Sequence, residues 1–204
     1  MSLPESPTLD SLRSSYAGDD LPRRFRCELV CEDIAQEQFF RPILERVFGR
    51  GHIRVAPRRP NGGFTFVLAQ APKSAANGRL LRKEAVVLLI AVDGDVGGLQ
   101  GRLEQLWKVF KAHGLGSEAI KERIAVCVPT RNIQTWTLWL QGRRNLDEAT
   151  DYKRQVEAPI SPRKLTEAWF SPLSKADLET EASHLPALVH GRKEIGRLQS
   201  TARR

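Results

Sequence analysis

Residues 85–95 read Ala-Val-Val-Leu-Leu-Ile-Ala-Val-Asp-Gly-Asp, and this run limits the fold more than any other stretch of the chain. Its first eight residues are apolar, three of them valine and one isoleucine. That is too short to cross a bilayer, and the β-branched content predicts a strand buried on both faces, as in the middle of a parallel sheet. The run ends on Asp93-Gly94-Asp95, which sets two carboxylates two residues apart where the strand leaves the sheet. Ligands of open α/β sheets bind at the carboxyl ends of strands. Two anions held close repel each other and raise each other's pKa unless a cation lies between them, so a hard ion such as Mg²⁺ is the simplest occupant. The alternative is a plain turn, for which Asp-Gly is a favoured pair.

An earlier strand also ends on acid. Residues 24–31, Arg-Phe-Arg-Cys-Glu-Leu-Val-Cys, alternate and then close on an apolar pair, which predicts a strand that stops at Glu32-Asp33. Directly after it, Ile34, Phe39, Phe40, Ile43, Leu44, Val47 and Phe48 recur at helical spacing, Gly49 is a stop signal and Pro42 a candidate kink. If the two strands are neighbours in a parallel sheet, Glu32, Asp93 and Asp95 share one rim. For Glu32 and Asp33 the competing explanation is helix capping, because an acid in the first turn accepts from orphan backbone donors and offsets the helix dipole.

The net charge is +8, and a single stretch accounts for as much. Between residues 50 and 83 stand Arg50, Arg54, Arg58, Arg59, Lys73, Arg79, Arg82 and Lys83, with no Asp or Glu. Residues 52–56 and 64–68 read as short strands joined by the loop Pro57-Arg58-Arg59-Pro60-Asn61-Gly62-Gly63. A basic, glycine-containing turn followed by Phe64 and Phe66 fits a surface that tracks phosphates and offers rings to bases, and Arg58, Arg59, Lys73 and Arg79 are the candidate contacts. A solvated hairpin tip is the alternative.

The remainder predicts one α/β domain, a Rossmann-like core with a central parallel sheet flanked by helices. Residues 1–23 read as a flexible leader, 24–142 as the core and 143–204 as a helical C-terminal extension. Within the core, Leu99 to Leu115 predicts a helix, residues 123–128 a strand, and Ile133 to Leu140 a helix whose tryptophans, Trp136 and Trp139, pack on the sheet. Beyond it, residues 162–170 and 187–198 are the clearest helices. Cys27, Cys31 and Cys127 make an odd number without a C-x-x-C pair and read as buried thiols of a reducing cytosol, so the expected location is cytoplasmic. His52, His113, His184 and His190 are too scattered for a zinc site. No apolar signal region or membrane-length run is present.

Glu32 after one strand, Asp93-Gly94-Asp95 after a central apolar strand, and helices between them resemble the Toprim fold of topoisomerases, bacterial-type primases and nucleases related to the overcoming-lysogenization-defect family. The chain is similar to the small stand-alone Toprim-like proteins of bacteria, which are associated with defence against phage beside an ATPase partner. The resemblance covers about residues 24–140. It implies that Glu32 is the family's glutamate and Asp93 and Asp95 its D-x-D pair, together holding Mg²⁺ or Mn²⁺, with Glu37 as a further ligand, for phosphodiester hydrolysis in nucleic acid. The chain departs from the family at Asp33, where many relatives have Gly, and at Gln36 and Gln134, where relatives often carry acids. Of its two tyrosines, Tyr16 falls in the leader and Tyr152 beyond the core, so a covalent tyrosine of topoisomerase type is not expected.

Two other readings stay open. A strand ending Asp-x-Asp also begins haloacid dehalogenase-like phosphohydrolases, which need a later lysine and an acidic pair, here only Asp147-Glu148. A nucleic-acid-binding or partner-docking subunit could have the same fold without a working metal site.

Overall fold

The computed structural model describes residues 25–57, 62–76, 86–156, 158–172 and 184–203. The leader expected at residues 1–23 lies outside them. At the centre is an all-parallel sheet of β1 (Arg26–Cys31), β2 (Ile53–Val55), β3 (Val86–Ala91) and β4 (Ile124–Cys127), in the order β2-β1-β3-β4. Around it lie α1 (Ile34–Phe48), α2 (Gly63–Ala76), α3 (Gly98–Ala112), α4 (Glu118–Lys121), α5 (Gln134–Leu140), α6 (Pro162–Phe170) and α7 (Pro186–Arg203). The fold is α/β with a Rossmann-like core. Every residue of β3 is buried, which is why its sequence is apolar without alternation.

Two apolar layers follow from strand alternation. Cys27, Leu29, Cys31, Val87, Leu89, Ala91, Ala125 and Cys127 face one side, covered by α1, α5, α6 and α7. Val30, Leu88, Ile90, Val92, Ile124 and Val126 face the other, covered by α2 and α3. The chain runs from β1 outward to β2 through α1, then back across to β3 through α2 on the opposite face. A single crossover hand requires that change of face when the direction reverses. The reversal leaves a crevice between the carboxyl ends of β1 and β3.

Residues 64–68, expected as a strand, are helical and open α2. The alternation Phe64-Thr65-Phe66 fits a strand for only three residues. The buried set Val67, Ala71 and Ala75 continues at spacings of four, and the alanines favour a helix. Pro42 does not interrupt α1, which is continuous from Ile34 to Phe48. Among the described residues no helix is long and apolar enough to cross a membrane.

β4 lies at the end of the sheet, where unpaired peptide groups invite pairing with another chain. Side chains of α7 occupy them. Val126 N donates to Glu194 Oε2 (3.2 Å), His190 Nε2 donates to Val126 O (3.1 Å), and Arg197 donates to Ile124 O while pairing with Glu194 at 2.8 Å. Helix α7 lies this close because Gly191 faces Trp136, a fully buried ring that also meets Phe39, Phe40 and Trp169 edge-on or tilted at 6.0–6.1 Å. A Cβ on Gly191 would stand 2.6 Å from Trp136 Cη2. In an open helix Gly→Ala stabilises by about 1 kcal/mol. Here Gly191→Ala is expected to destabilise by about 1–3 kcal/mol through overpacking, read as a lower urea midpoint. A midpoint equal to or above that of the native chain would refute the close approach.

Candidate functional site

The crevice between β1 and β3 is where the acids meet. β1 pairs with β3 from Arg26↔Val86 to Cys31↔Ala91, so Glu32 and Asp93 emerge side by side. Asp93 N donates to Glu32 Oε1 at 3.0 Å. Asp33, by contrast, is the N-cap of α1, its Oδ1 accepting from Gln36 N at 2.8 Å. Of the two adjacent acids, capping therefore accounts for Asp33, and Glu32 is turned to the crevice.

Gln36 ties the two strand ends together. It is fully buried, its Oε1 accepts from Glu32 N at 3.0 Å, and its Nε2 donates to Asp93 Oδ1 at 2.8 Å. The amide's orientation is fixed because the Glu32 N–H can only donate, which leaves Nε2 for the carboxylate. An acid at this position could not make both bonds when ionised. Sequence reasoning took Gln36 as a missing ligand. The pattern Asp-x-x-Gln marks a helix start, and here the amide reaches one residue further back than in a capping box, to Glu32 N.

Removal from water dominates the acids' titration. Glu32 is pushed up to about 7 by burial and then by the Asp93 charge, against the Asp93 backbone donor and the Arg102 cation. Asp93 is pushed up to about 7 by burial and by Asp33 and Asp95, opposed by the Gln36 bond and the Lys153 charge. Two hard oxygen donors with excess negative charge in a partly desolvated crevice fit a divalent ion. Mg²⁺ commonly takes only one or two carboxylates, completing its shell with water and substrate phosphate.

Asp95 is arranged differently. It sits in the left-handed region (φ 45°) that opens the single turn Asp95–Gly97, and its Oδ2 accepts from Arg102 Nη2 at 2.7 Å. Arg102, on α3, also donates through Nε to Asp93 O at 2.8 Å, and its guanidinium lies 3.8 Å above the Phe64 ring. The ring expected to stack on a base thus supports an arginine. Among the described residues, no three acid, histidine or cysteine side chains are gathered as a ready-made metal cluster.

The other expected residues are dispersed. Glu37 pairs with Arg41 on the next turn of α1 at 3.2 Å. Lys73 is exposed in the last turn of α2, nine residues and about 14 Å along the helix from Phe64, toward the opposite end of the sheet. Arg58, Arg59 and Arg79 lie outside the described residues.

The loop after β4 forms the third wall. Gly94 N donates to Pro129 O at 2.7 Å, and a Cβ on Gly94 would stand 2.8 Å from Thr130 O, so only glycine fits between the two acids. Thr130 Oγ1 donates to Glu148 Oε2 at 2.9 Å, and Asn132 Nδ2 donates to Asp151 Oδ1 at 2.8 Å. Glu148, buried, also accepts from Ala187 N and Leu188 N at 3.0 Å each and from Trp136 Nε1 at 3.4 Å. Burial raises its pKa, and these donors pull against that rise. It caps α7 and holds the Thr130 loop against Gly94. Arg102 and the capping role of Glu148, which the sequence marked only as half of a candidate acidic pair, escaped the sequence reading because their partners are distant in the chain or lie across a turn that periodicity does not encode.

Compared with protein-family models, with curated proteins and with solved structures, the chain matches none of them.

Replacing Gln36 by Leu leaves Glu32 N and Asp93 Oδ1 without partners and is expected to lower stability by about 1–3 kcal/mol, measurable by denaturant titration. The pH dependence has a fixed sign. Glu32 and Asp93 hold their protons to about pH 7 when folded, against 4.5 and 3.8 for the free groups. The folded chain therefore binds more protons across this interval, so their contribution to stability is full below about pH 4 and is lost as pH rises through about 7. In chelator, the melting temperature of Glu32→Gln/Asp93→Asn should fall less than that of the native chain between pH 5 and 8, which serve as about the interval's bounds. Parallel curves would show that the two acids titrate normally.

Proposed function

We propose that the chain is a Toprim-type, metal-dependent phosphodiesterase that hydrolyses nucleic acid. The observation that carries this reading is the convergence of Glu32 and Asp93, both half-buried, at the crevice between β1 and β3, with Asp95 two residues on. Glu32 and Asp93 would hold Mg²⁺ or Mn²⁺, with Asp95 as the further carboxylate. When bound, such an ion polarises a phosphoryl oxygen and lowers the pKa of a coordinated water. Glu32 would serve either as a ligand of that ion or as the acceptor of a proton from the attacking water. Gln36 keeps Asp93 in one orientation, and Gly94 lets the Thr130 loop close against the acids.

Nucleic acid as the substrate is supported by the net charge of +8 and its concentration between residues 50 and 83. The carboxyl end of β2 lies at the same end of the parallel sheet as the acids. By the resemblance, a bacterial anti-phage role with an ATPase partner is part of the proposal.

A binding subunit without catalysis is the second reading, favoured by the pairing of Asp95 with Arg102 rather than with its fellow acids. The dehalogenase-like reading gains from Lys153, whose charge reaches Asp93. It loses from Glu148, which is occupied in capping α7, and from Asp147, whose Oδ1 accepts from Ala149 N and Thr150 N within its own loop.

Mn²⁺ titration calorimetry beside a cleavage assay on single- and double-stranded DNA and RNA separates these readings. Glu32→Gln and Asp93→Asn are expected to lose metal binding and to lower cleavage by about 100-fold or more, while nucleic-acid binding in chelator persists. Nucleic-acid binding by a native chain that takes no Mn²⁺ would establish the binding subunit instead.

A further inference from the structure

We infer that Arg102 is an exchangeable counter-ion at the acid rim: it holds Asp95 until a divalent cation draws that carboxylate away, and the released guanidinium then takes a substrate phosphate. This rests on the metal-site reading of Glu32 and Asp93.

The guanidinium is built to face a small anion. Its plane is fixed on the Phe64 ring at 3.8 Å, and Nε is held by Asp93 O at 2.8 Å. One N–H group is thereby left on Asp95 Oδ2 at 2.7 Å and another on Gln105 Oε1 at 3.2 Å. A planar fork anchored by stacking and by one backbone carbonyl presents its remaining donors to whatever anion stands at the rim, carboxylate or phosphate.

The present partner is easily exchanged. The Asp95 side chain is 55% exposed although that of Arg102 is only 14% exposed, so solvent reaches the pair from the carboxylate side. The pair is screened on its acid side, where a competing cation has access to the carboxylate. Glu32 and Asp93 lie next to it at the crevice, Asp93 N donating to Glu32 Oε1 at 3.0 Å and Asp93 O accepting from Arg102 Nε at 2.8 Å, and the Asp93 carboxylate has the neutral Gln36 amide as its partner. A divalent cation held by Glu32 and Asp93 would carry about twice the charge of the guanidinium and would compete with it for Asp95. Two cations side by side then repel unless an anion joins them, and a phosphodiester oxygen meets that need. Metal and phosphate thus bind with positive coupling, and each must raise the other's affinity by the same factor.

The test measures binding alone. Mn²⁺ affinity is followed by the loss of the free-ion paramagnetic signal, with and without a phosphorothioate oligonucleotide that resists cleavage. In the native chain the oligonucleotide should tighten Mn²⁺ binding. In Arg102→Gln, Mn²⁺ alone should bind about fivefold tighter, the equivalent of the lost ion pair, and the coupling factor should fall toward one. Mn²⁺ binding by the native chain with no gain in Arg102→Gln overturns the exchange and leaves the metal site standing. Absence of Mn²⁺ binding from both overturns both.

Asp95→Asn supplies an independent arm should Arg102→Gln fail to fold. It frees the guanidinium, so in chelator it should bind the oligonucleotide tighter than Asp33→Asn, which removes one negative charge from the same rim without touching Arg102. Equal affinities of the two variants would attribute the gain to net charge and overturn the proposal.

Discussion

The site depends on the pairing of β1 with β3. Six residue pairs in parallel register bring a strand from the start of the described chain against one about sixty residues later, and that register sets Glu32 beside Asp93. Backbone hydrogen bonds and two buried faces hold it. A slip by one residue would turn Cys27, Leu29 and Cys31 from one apolar layer to the other and move Glu32 off the rim. The position of the acids is in this sense a by-product of core packing.

Packing brings the carboxylates together and leaves an electrostatic problem, which the chain meets in two ways. At Asp93 the remedy is neutral: one buried amide satisfies an N–H of β1 and an oxygen of Asp93 at once. At Asp95 it is a cation supported on a phenyl ring. The neutral remedy is buried and rigid, whereas the charged one is open to solvent on its acid side.

The far wall is kept in place from a distance. Glu148 receives two peptide N–H groups of α7, the Thr130 hydroxyl and the Trp136 indole, so one buried carboxylate links the loop beside Gly94 to the last helix. The same helix covers the open edge of β4. The final segment thus both shields the sheet and steadies one side of the crevice, through polar groups whose burial would be costly without partners.

The sequence by itself determined the parallel core and the ends of its central elements. An unbroken apolar strand, the helical spacing from Ile34 to Phe48 and the stops at Gly49 and Asp93 are local signals whose periods follow from backbone geometry. It also marked Glu32, Asp93 and Asp95 as the acids at strand ends. Residues 64–68 were misread because three alternating residues fit either period. Only the tertiary structure decided that Glu32 faces the crevice while Asp33 caps a helix, that Gln36 joins two strands, that Glu37 turns to Arg41, and that Arg102 stands on Phe64 against Asp95. Those outcomes depend on which side chains meet across a sheet or a turn, and a hydrogen bond or ion pair between residues far apart in the chain leaves no period in the sequence to read.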